Sequence, residues 1–326
     1  MRITLQVSAA VLIAIALGAF AAHAANEKAV TFTEGNFFAG PEPTPMYVEY
    51  FLPEKPAHKI PIVLIHGCCT TGAGFVSTPD GREGWAKYFV RQGWKTYVVD
   101  HPGHGRSPMP ENYSTMSLQR AVDDTVVLLK KIGPAILIVH SIGGMIGWKV
   151  CDTVPGQVAA IIGVAPVPPA NMPKGSFPAA TAIGQSFMNS GTGPYLPEDK
   201  PAWYKLDVAK QAFASASQFP SEAMDQYYAS LVPESPRAIN ELMNKDGMGL
   251  TVDPAKIAKI PKMILTGDQD PRHPRAVDAQ TAKFVGAEHI FLADVGLPGH
   301  GHPMYLDRGN EKIAQLILDW LGKKGL

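Results

Sequence analysis

The chain is 326 residues long and electrically balanced, because 29 lysines and arginines are matched by 29 aspartates and glutamates. The basic residues are not clustered, which argues against a protein that binds nucleic acid or an anionic membrane surface. Apolar residues make up 46% of the chain, as is typical of a globular protein. The length suits one large α/β domain, with or without an insertion.

Residues 1–24 have the pattern of a secretory signal peptide. Arg2 gives a basic start, residues 7–22 form an apolar run, and Ala-His-Ala at 22–24 fits the small-residue rule for cleavage before Ala25. The alternative is an N-terminal membrane anchor, but the apolar run has the length of a signal core. We therefore expect a periplasmic or secreted mature protein that does not associate with a membrane after signal removal.

Strand-like and helix-like segments then alternate as far as residue 164. Continuous apolar runs at 60–65 and 135–139 are typical of strands buried on both faces of a parallel sheet. The alternation predicts a doubly wound, mostly parallel sheet with ligand sites at the carboxyl ends of its strands. Strands are predicted at 46–52 (an edge strand that ends at a proline), 60–65, 96–99, 135–139 and 158–164, and helices at 85–92, 117–131 and 144–150.

The alternation stops near residue 165 and resumes near residue 260. The stretch 165–259 is rich in Pro, Ala, Ser, Met and aromatic residues. We interpret it as a helical cap inserted into an α/β core that consists of residues 25–164 and 260–326. Its large apolar side chains are expected to form the core of the cap rather than a pocket wall: Phe177, Phe187, Met188, Trp203, Tyr204, Phe213 and Tyr227. Further elements are predicted as helices at 201–217, 221–231, 275–285 and 310–321, and strands at 262–266 and 288–292.

Ser141 stands between two apolar runs, in Ala-Ile-Leu-Ile-Val-His-Ser-Ile-Gly-Gly at 135–144. The pattern predicts a strand, a sharp turn with the serine at its apex, and a helix, which together place a nucleophile in a cleft. Gly143 and Gly144 let the helix pack closely against the strand. Because Val139 replaces the first glycine of the usual G-x-S-x-G pattern, the assignment also needs partners for the serine.

A serine nucleophile needs a base, and the base needs an acid that orients it. The loop after the strand at 262–266 carries two carboxylates. We predict Asp270 as the acid, because it lies just outside a tight glycine turn and precedes a proline, and we keep Asp268 as the alternative. His302, next to the last helix, is the predicted base, and His300 is the alternative.

In α/β enzymes with a serine nucleophile on a strand–turn–helix motif, the triad follows the chain order serine, acid, histidine. Ser141, Asp270 and His302 have the same order. A metal site is the competing interpretation of His300 and His302, which are one residue apart. No cluster of Cys, Asp or Glu with ligand spacing accompanies them in the sequence. We therefore expect no metal and no cofactor.

The loop Ile-His-Gly-Cys-Cys-Thr-Thr-Gly at 65–72 follows a buried strand, which is where an oxyanion hole is built. The expected donors are the backbone N–H groups of Cys68 and Ile142, each worth about 3 kcal/mol in the transition state. Cys68 and Cys69 are neighbours in an oxidising compartment, so they form a strained disulfide ring or stay reduced as small apolar side chains, and metal ligation by the pair is disfavoured. With Cys151, the odd count leaves at least one thiol unpaired or an intermolecular bridge.

These motifs resemble the α/β-hydrolase superfamily over nearly all of the mature chain. The stretch Asp-His-Pro-Gly-His-Gly-Arg-Ser at 100–107 is similar to the D-x-x-G-x-G-x-S turn of the superfamily, in which the last two residues are structural. More narrowly, segments 35–40, 66–69 and 139–141 and the Gly-x-x-Gly-x-x-His that ends at His302 resemble secreted bacterial esterases with a vicinal disulfide in the oxyanion loop. The resemblance implies carboxylic-ester hydrolysis, with Ser141 as nucleophile, His302 as base and a Cys68–Cys69 disulfide.

The chain departs from that narrower group at one position. There the acid is a glutamate after the strand that follows the nucleophile, whereas this chain has Val-Ala-Pro at 164–166. The departure favours Asp270 as the acid, and it leaves the identity of the substrate open.

The sequence thus predicts an exported serine hydrolase of α/β-hydrolase fold that cleaves small carboxylic esters through an acyl-enzyme. An aspartate nucleophile, as in dehalogenases and epoxide hydrolases, is disfavoured because Ser141 occupies that position. Lactonase, thioesterase, amidase and carbon–carbon hydrolase activities use the same triad and stay open. A catalytically silent binding protein on this fold is the alternative from another class. Nothing in the sequence predicts the oligomeric state.

Overall fold

The computed structural model describes residues 31–173 and 180–326. The predicted signal peptide at 1–24 lies outside the described residues, as does Phe177. Within the described ranges, no helix combines the length and the apolar character that crossing a membrane requires.

A single eight-stranded sheet organises the chain, in the order β1-β2-β4-β3-β5-β6-β7-β8. The first two strands pair antiparallel, as do β2 and β4, and the other pairs are parallel. The central strands are buried along their whole length, because helices cover both faces of a parallel sheet. The strands are β1 Phe32–Ala39, β2 Met46–Pro53, β3 Ile62–Ile65, β4 Thr96–Asp100, β5 Ala135–His140, β6 Val158–Val164, β7 Lys262–Thr266 and β8 Glu288–Phe291.

The helices follow the strands in the expected alternation. Ser117 caps the longest of them, since its side chain accepts a hydrogen bond from the backbone of Gln119. The α-helices are α1 Ala73–Val76, α2 Trp85–Arg91, α3 Leu118–Ile132, α4 Ile142–Thr153, α5 Ala180–Gly184, α6 Leu206–Phe213, α7 Met224–Ala229, α8 Pro236–Leu242, α9 Arg275–Val285 and α10 Asn310–Lys323. Short 3-10 helices lie at Tyr113–Thr115, Pro155–Gln157, Ser221–Ala223, Lys245–Gly247 and Leu292–Val295.

The predicted doubly wound, mostly parallel sheet is confirmed, and one strand assignment is wrong. Residues 46–52 were expected at the edge of the sheet, but β2 lies between β1 and β4. The edge position belongs to β1, whose side chains are largely exposed and whose sequence includes Gly35 and Asn36. Those two residues have low strand propensity, which explains why the sequence pattern gave no strand there.

The stretch from 165 to 259 lies between β6 and β7 and contains α5, α6, α7 and α8, and we refer to it as the insert. Two of its contacts with the rest of the protein are on the side of the predicted site. The backbone N–H of Val232 donates to the carbonyl of Cys69. The Glu241 carboxylate accepts hydrogen bonds from the Ser117 hydroxyl and the Leu118 N–H at the start of α3. These contacts hold the insert against the loop after β3 and the start of α3.

Candidate active site

Ser141 lies at a strained turn between β5 and α4. Its backbone has φ 52° and ψ −121°, a conformation that costs energy for any residue other than glycine. The turn fits only because the next residues are small. A Cβ on Gly143 would lie 2.6 Å from the carbonyl oxygen of His66, and one on Gly144 would lie 2.5 Å from Cβ of Pro166. The geometry is that of the predicted nucleophile turn, although Val139 replaces a glycine.

His302 and Asp270 form a buried pair at the ends of two neighbouring loops. Nδ1 of His302 lies 2.9 Å from Oδ2 of Asp270. The other carboxylate oxygen accepts hydrogen bonds from the backbone N–H groups of Arg272 and His273, at 2.7 and 3.0 Å. Both oxygens of Asp270 are therefore engaged, and the carboxylate fixes the orientation of the imidazole ring.

The pKa values of Asp270 and His302 suit a pair that takes part in acid–base chemistry. Burial alone would raise the pKa of Asp270, but the positive charge and the hydrogen bond of His302 outweigh it and lower the pKa to about 2. Burial lowers the pKa of His302 below its usual value, although the Asp270 carboxylate acts in the opposite direction. The imidazole is therefore neutral at pH 7, and with Asp270 at Nδ1 its Nε2 is free to accept a proton.

The alternatives kept open by the sequence have other partners. Oδ1 of Asp268 accepts hydrogen bonds from the backbone N–H groups of Gly299 and His300, so this carboxylate holds the loop. Nδ1 of His300 lies 3.1 Å from Oδ2 of Asp307. The two histidines thus face different carboxylates. Among the residues that the structure describes, no three His, Cys, Asp or Glu side chains gather where they could hold a metal ion.

The predicted oxyanion loop lies directly against the nucleophile turn. A Cβ on Gly67 would lie 2.7 Å from Cβ of Ser141, so only glycine permits this approach. In the described part of the chain, neither the Cys68 nor the Ile142 N–H has an acceptor in the protein. The sulfur atoms of Cys68 and Cys69 are joined, and we refer to this bond as the vicinal disulfide. Cys69 is buried with φ 63°, while Cys68 is partly exposed.

A second layer of polar residues, which the sequence pattern did not indicate, supports this loop. Oδ1 of Asp100 accepts a hydrogen bond of 2.7 Å from the Gly72 N–H, and Oδ2 accepts one of 2.8 Å from Arg106. Nε2 of His104 lies 3.2 Å from Oε2 of Glu234 in the insert, and both side chains are buried. The expectation that the 100–107 turn has a structural role agrees with these contacts, but the partner in the insert is 130 residues away.

One cavity has both Ser141 and His302 in its wall. Its other lining residues are mostly apolar and come largely from the insert. Three of the aromatic residues expected in the core of the cap, namely Phe187, Tyr204 and Phe213, are buried in the hydrophobic core and also line this cavity. The structure places the other three described residues differently. Tyr227 is buried and lines a second cavity, whereas Met188 and Trp203 are exposed. The full lining is Cys68, Ser141, Val167, Ile183, Phe187, Tyr204, Phe213, Ile239, Leu242, Arg272, His273 and His302.

The mostly parallel sheet, with a strained serine after β5 and a buried His–Asp pair on later loops, has the architecture of the α/β-hydrolase fold. The sequence matches the alpha/beta hydrolase family over residues 62–316, and the chain belongs to that family. It is 24% identical over 338 residues to a probable secreted lipase, phiG, of a fungal species (strain ATCC 74256), and the match covers 86% of each chain.

Solved structures show the same fold at low sequence identity. One is a bacterial esterase solved at atomic resolution, 20% identical, with a TM-score of 0.57 over 90% of this chain and 96% of that one. Another is 2-hydroxy-6-oxo-6-phenylhexa-2,4-dienoate hydrolase from Rhodococcus sp. strain RHA1, 18% identical, with a TM-score of 0.61 over 89% of this chain and 99% of that one. At this level of identity, the likeness shows the fold alone.

Proposed function

We propose that the protein is an exported carboxylesterase that works through a triad of Ser141, His302 and Asp270. The observation that carries the proposal is that Ser141, at a strained turn, lines the same cavity as His302, whose Nδ1 is held by the buried Asp270. The family and its esterase and lipase relatives support the reaction type.

In the proposed reaction, His302 Nε2 takes the proton of Ser141 as its hydroxyl oxygen attacks the ester carbonyl. The imidazolium that forms is stabilised by Asp270, which is already ionised because of its low pKa. The same proton passes to the alcohol as it leaves, and an acyl-enzyme stays on the serine. Water then attacks with His302 again as base, which releases the acid and restores the hydroxyl.

The negative charge on the tetrahedral intermediate is proposed to rest on the N–H groups of Cys68 and Ile142. Both groups lack a protein acceptor in the described part of the chain. The N–H of Ile142 is also at the first turn of α4, where the helix dipole favours negative charge. The vicinal disulfide fixes the peptide that follows Cys68, and the Val232 N–H holds the Cys69 carbonyl from the insert. These contacts orient the loop before substrate arrives.

The insert is proposed to act as a cap that shapes the substrate pocket. The largely apolar lining suits an apolar or aromatic acyl or alcohol group, and we expect short-chain or aromatic esters to be cleaved faster than long-chain lipids. The curated relative is named as a lipase, so chain length is the property that most needs to be measured.

The proposal is tested with a panel of p-nitrophenyl esters from acetate to palmitate, and with a long-chain triglyceride. Wild-type protein should cleave the short and aromatic esters fastest, and Ser141→Ala should abolish the activity. Ser77→Ala is the matched control, because Ser77 is exposed and lines the second cavity instead. Covalent labelling with an organophosphonate should mark Ser141. Protein that cleaves no ester and takes no label would support a silent binding protein, and a preference for triglycerides would contradict the expected chain length.

A further inference from the structure

One charged side chain in the wall of the cavity has no part in the proposed reaction. Arg272 lies two residues after the triad aspartate and lines the same cavity as Ser141. It is partly buried, and most of the other lining residues are apolar. A guanidinium in such surroundings loses part of its hydration, so it needs partners within the cavity or on a bound ligand.

The protein partners of Arg272 are neutral. Its Nη2 donates to the Ser186 hydroxyl at 2.9 Å and to the Tyr204 hydroxyl, both from the insert. Its carbon Cζ lies 5.7 Å from the centre of the Tyr204 ring. Within residues 31–173 and 180–326, no carboxylate forms an ion pair with this guanidinium. The side chain is therefore held in place by two hydroxyls, and its positive charge is not neutralised.

The acidic residue closest to Arg272 in the sequence already has hydrogen-bond partners on both carboxylate oxygens. Asp270 receives the Arg272 and His273 backbone N–H groups on one oxygen and His302 on the other. His273, which also lines the cavity, lies 3.0 Å from the Asp278 carboxylate through its Nδ1. The cavity wall thus presents donors and positive charge next to the nucleophile, and the carboxylates around it are turned to other partners.

We propose that Arg272 binds a carboxylate carried by the substrate, so that the preferred substrates are esters with a free carboxylate on an otherwise apolar chain or ring. This inference rests on the proposed ester hydrolysis. Monoesters of dicarboxylic acids and acyl esters of hydroxybenzoic acids belong to this class. The hydroxyls of Ser186 and Tyr204 both engage Nη2, so the remaining N–H groups of the guanidinium are the ones proposed to donate to the substrate carboxylate.

Two pairs of substrates test the proposal, because each pair differs only in the carboxylate. Mono-p-nitrophenyl adipate against p-nitrophenyl hexanoate places the charge on the acyl side. The acetate ester of 4-hydroxybenzoate against that of 4-methylphenol places it on the alcohol side. In wild-type protein, kcat/KM for the anionic member of one pair should exceed that of the neutral member by about tenfold or more. The pair that shows the preference identifies the side on which Arg272 lies. No preference in either pair would overturn the proposal.

The variant Arg272→Gln should remove the preference. The value of kcat/KM for the anionic ester should fall by about 10- to 100-fold, mainly through KM, while that for the neutral ester stays within about threefold. A double variant, Ser186→Ala with Tyr204→Phe, removes the hydroxyl tethers and keeps the charge, so it should keep a preference for the anionic ester. If Arg272 only ties the insert to the core, Arg272→Gln lowers both esters equally, and that result would overturn the proposal.

Binding separates this proposal from the proposed function. Isothermal titration of Ser141→Ala protein with monomethyl adipate should give heat of binding, and adding Arg272→Gln to that variant should weaken the affinity about tenfold or more. If wild-type protein cleaves no ester, ester hydrolysis is wrong, while this titration still decides the role of Arg272. Equal affinity in the two variants would refute carboxylate recognition whether or not the protein is an esterase.

Discussion

Gly67 is the point at which the predicted oxyanion loop touches the turn at Ser141, so Gly67→Ala tests the geometry of the proposed site directly. The new Cβ would lie 2.7 Å from His140 Nδ1 and 2.7 Å from Ser141 Cβ. Ordinary contact begins at 3.4 Å. His140 is the buried last residue of β5 and Ser141 is held in the strained turn after it, so both yield little and the loop has to retract by roughly 0.7 Å. Cys68, the next residue, carries a proposed oxyanion donor and moves with it.

A displacement of this size should lower kcat by about 100-fold and leave KM within a few-fold of wild type, since the donor acts in the transition state. The assay is steady-state hydrolysis of p-nitrophenyl butyrate, with the midpoint of thermal unfolding measured alongside. Gly156→Ala is the matched control, because an alanine Cβ there meets no heavy atom within 4 Å. A folded Gly67→Ala protein with kcat within about threefold of wild type would refute the argument that this contact positions the donor.

Three further predictions concern the charges and the disulfide around the site. Asp270→Asn should lower kcat by about 10⁴-fold. Because Asp270 raises the pKa of His302, the acid limb of the remaining pH–rate profile should move to lower pH, which a stopped-flow profile checks. Reduction with dithiothreitol should lower kcat by about tenfold in wild type and not in a variant with both cysteines of the vicinal disulfide changed to alanine. Glu234→Gln should reduce the free energy of unfolding by about 1–3 kcal/mol in urea titrations. Burial lowers the pKa of His104, but Glu234 outweighs it and raises that pKa above 6.5, a contribution to stability that is lost as pH rises past the raised value. Burial opposes it, but His104 lowers the pKa of Glu234 below 4.5, and this contribution to stability is lost as pH falls past the lowered value. The destabilisation caused by Glu234→Gln should therefore be largest between pH 4.5 and 6.5, where both contributions are present.

Most of the core could be predicted from the sequence because its signals are local. Buried parallel strands read as continuous apolar runs, and the bounds of β6 and β7 agree with the prediction to the residue. The start of α3 is marked by a capping serine that the structure shows in use. Ser141 could be found for the same reason, since the turn, the flanking strand and the small residues after it all lie within ten positions of the chain.

The insert and the pocket wall could not be predicted in the same way, because their structure depends on contacts between distant residues. The side chains of Phe187, Tyr204 and Phe213 are as hydrophobic as core residues, so their sequence does not show whether they also line a cavity, as they do here. The helix α8 is only seven residues long, too short for a clear helical period. Arg272 gave no signal of its own, although its place two residues after Asp270 puts it at a strand end where ligands bind.

The predicted oxyanion loop could be found from a short stretch of sequence, but the contacts that hold it come from distant parts of the chain. Gly67 rests against the nucleophile turn, Asp100 at the end of β4 holds the Gly72 N–H, and Val232 of the insert holds the Cys69 carbonyl. Each contact comes from a different part of the chain, and each restrains a different residue of the loop. An insert held this way does more than shape the pocket, since its displacement also frees the loop that carries a proposed oxyanion donor. Substitutions in the insert that alter substrate preference should therefore often alter kcat as well as KM.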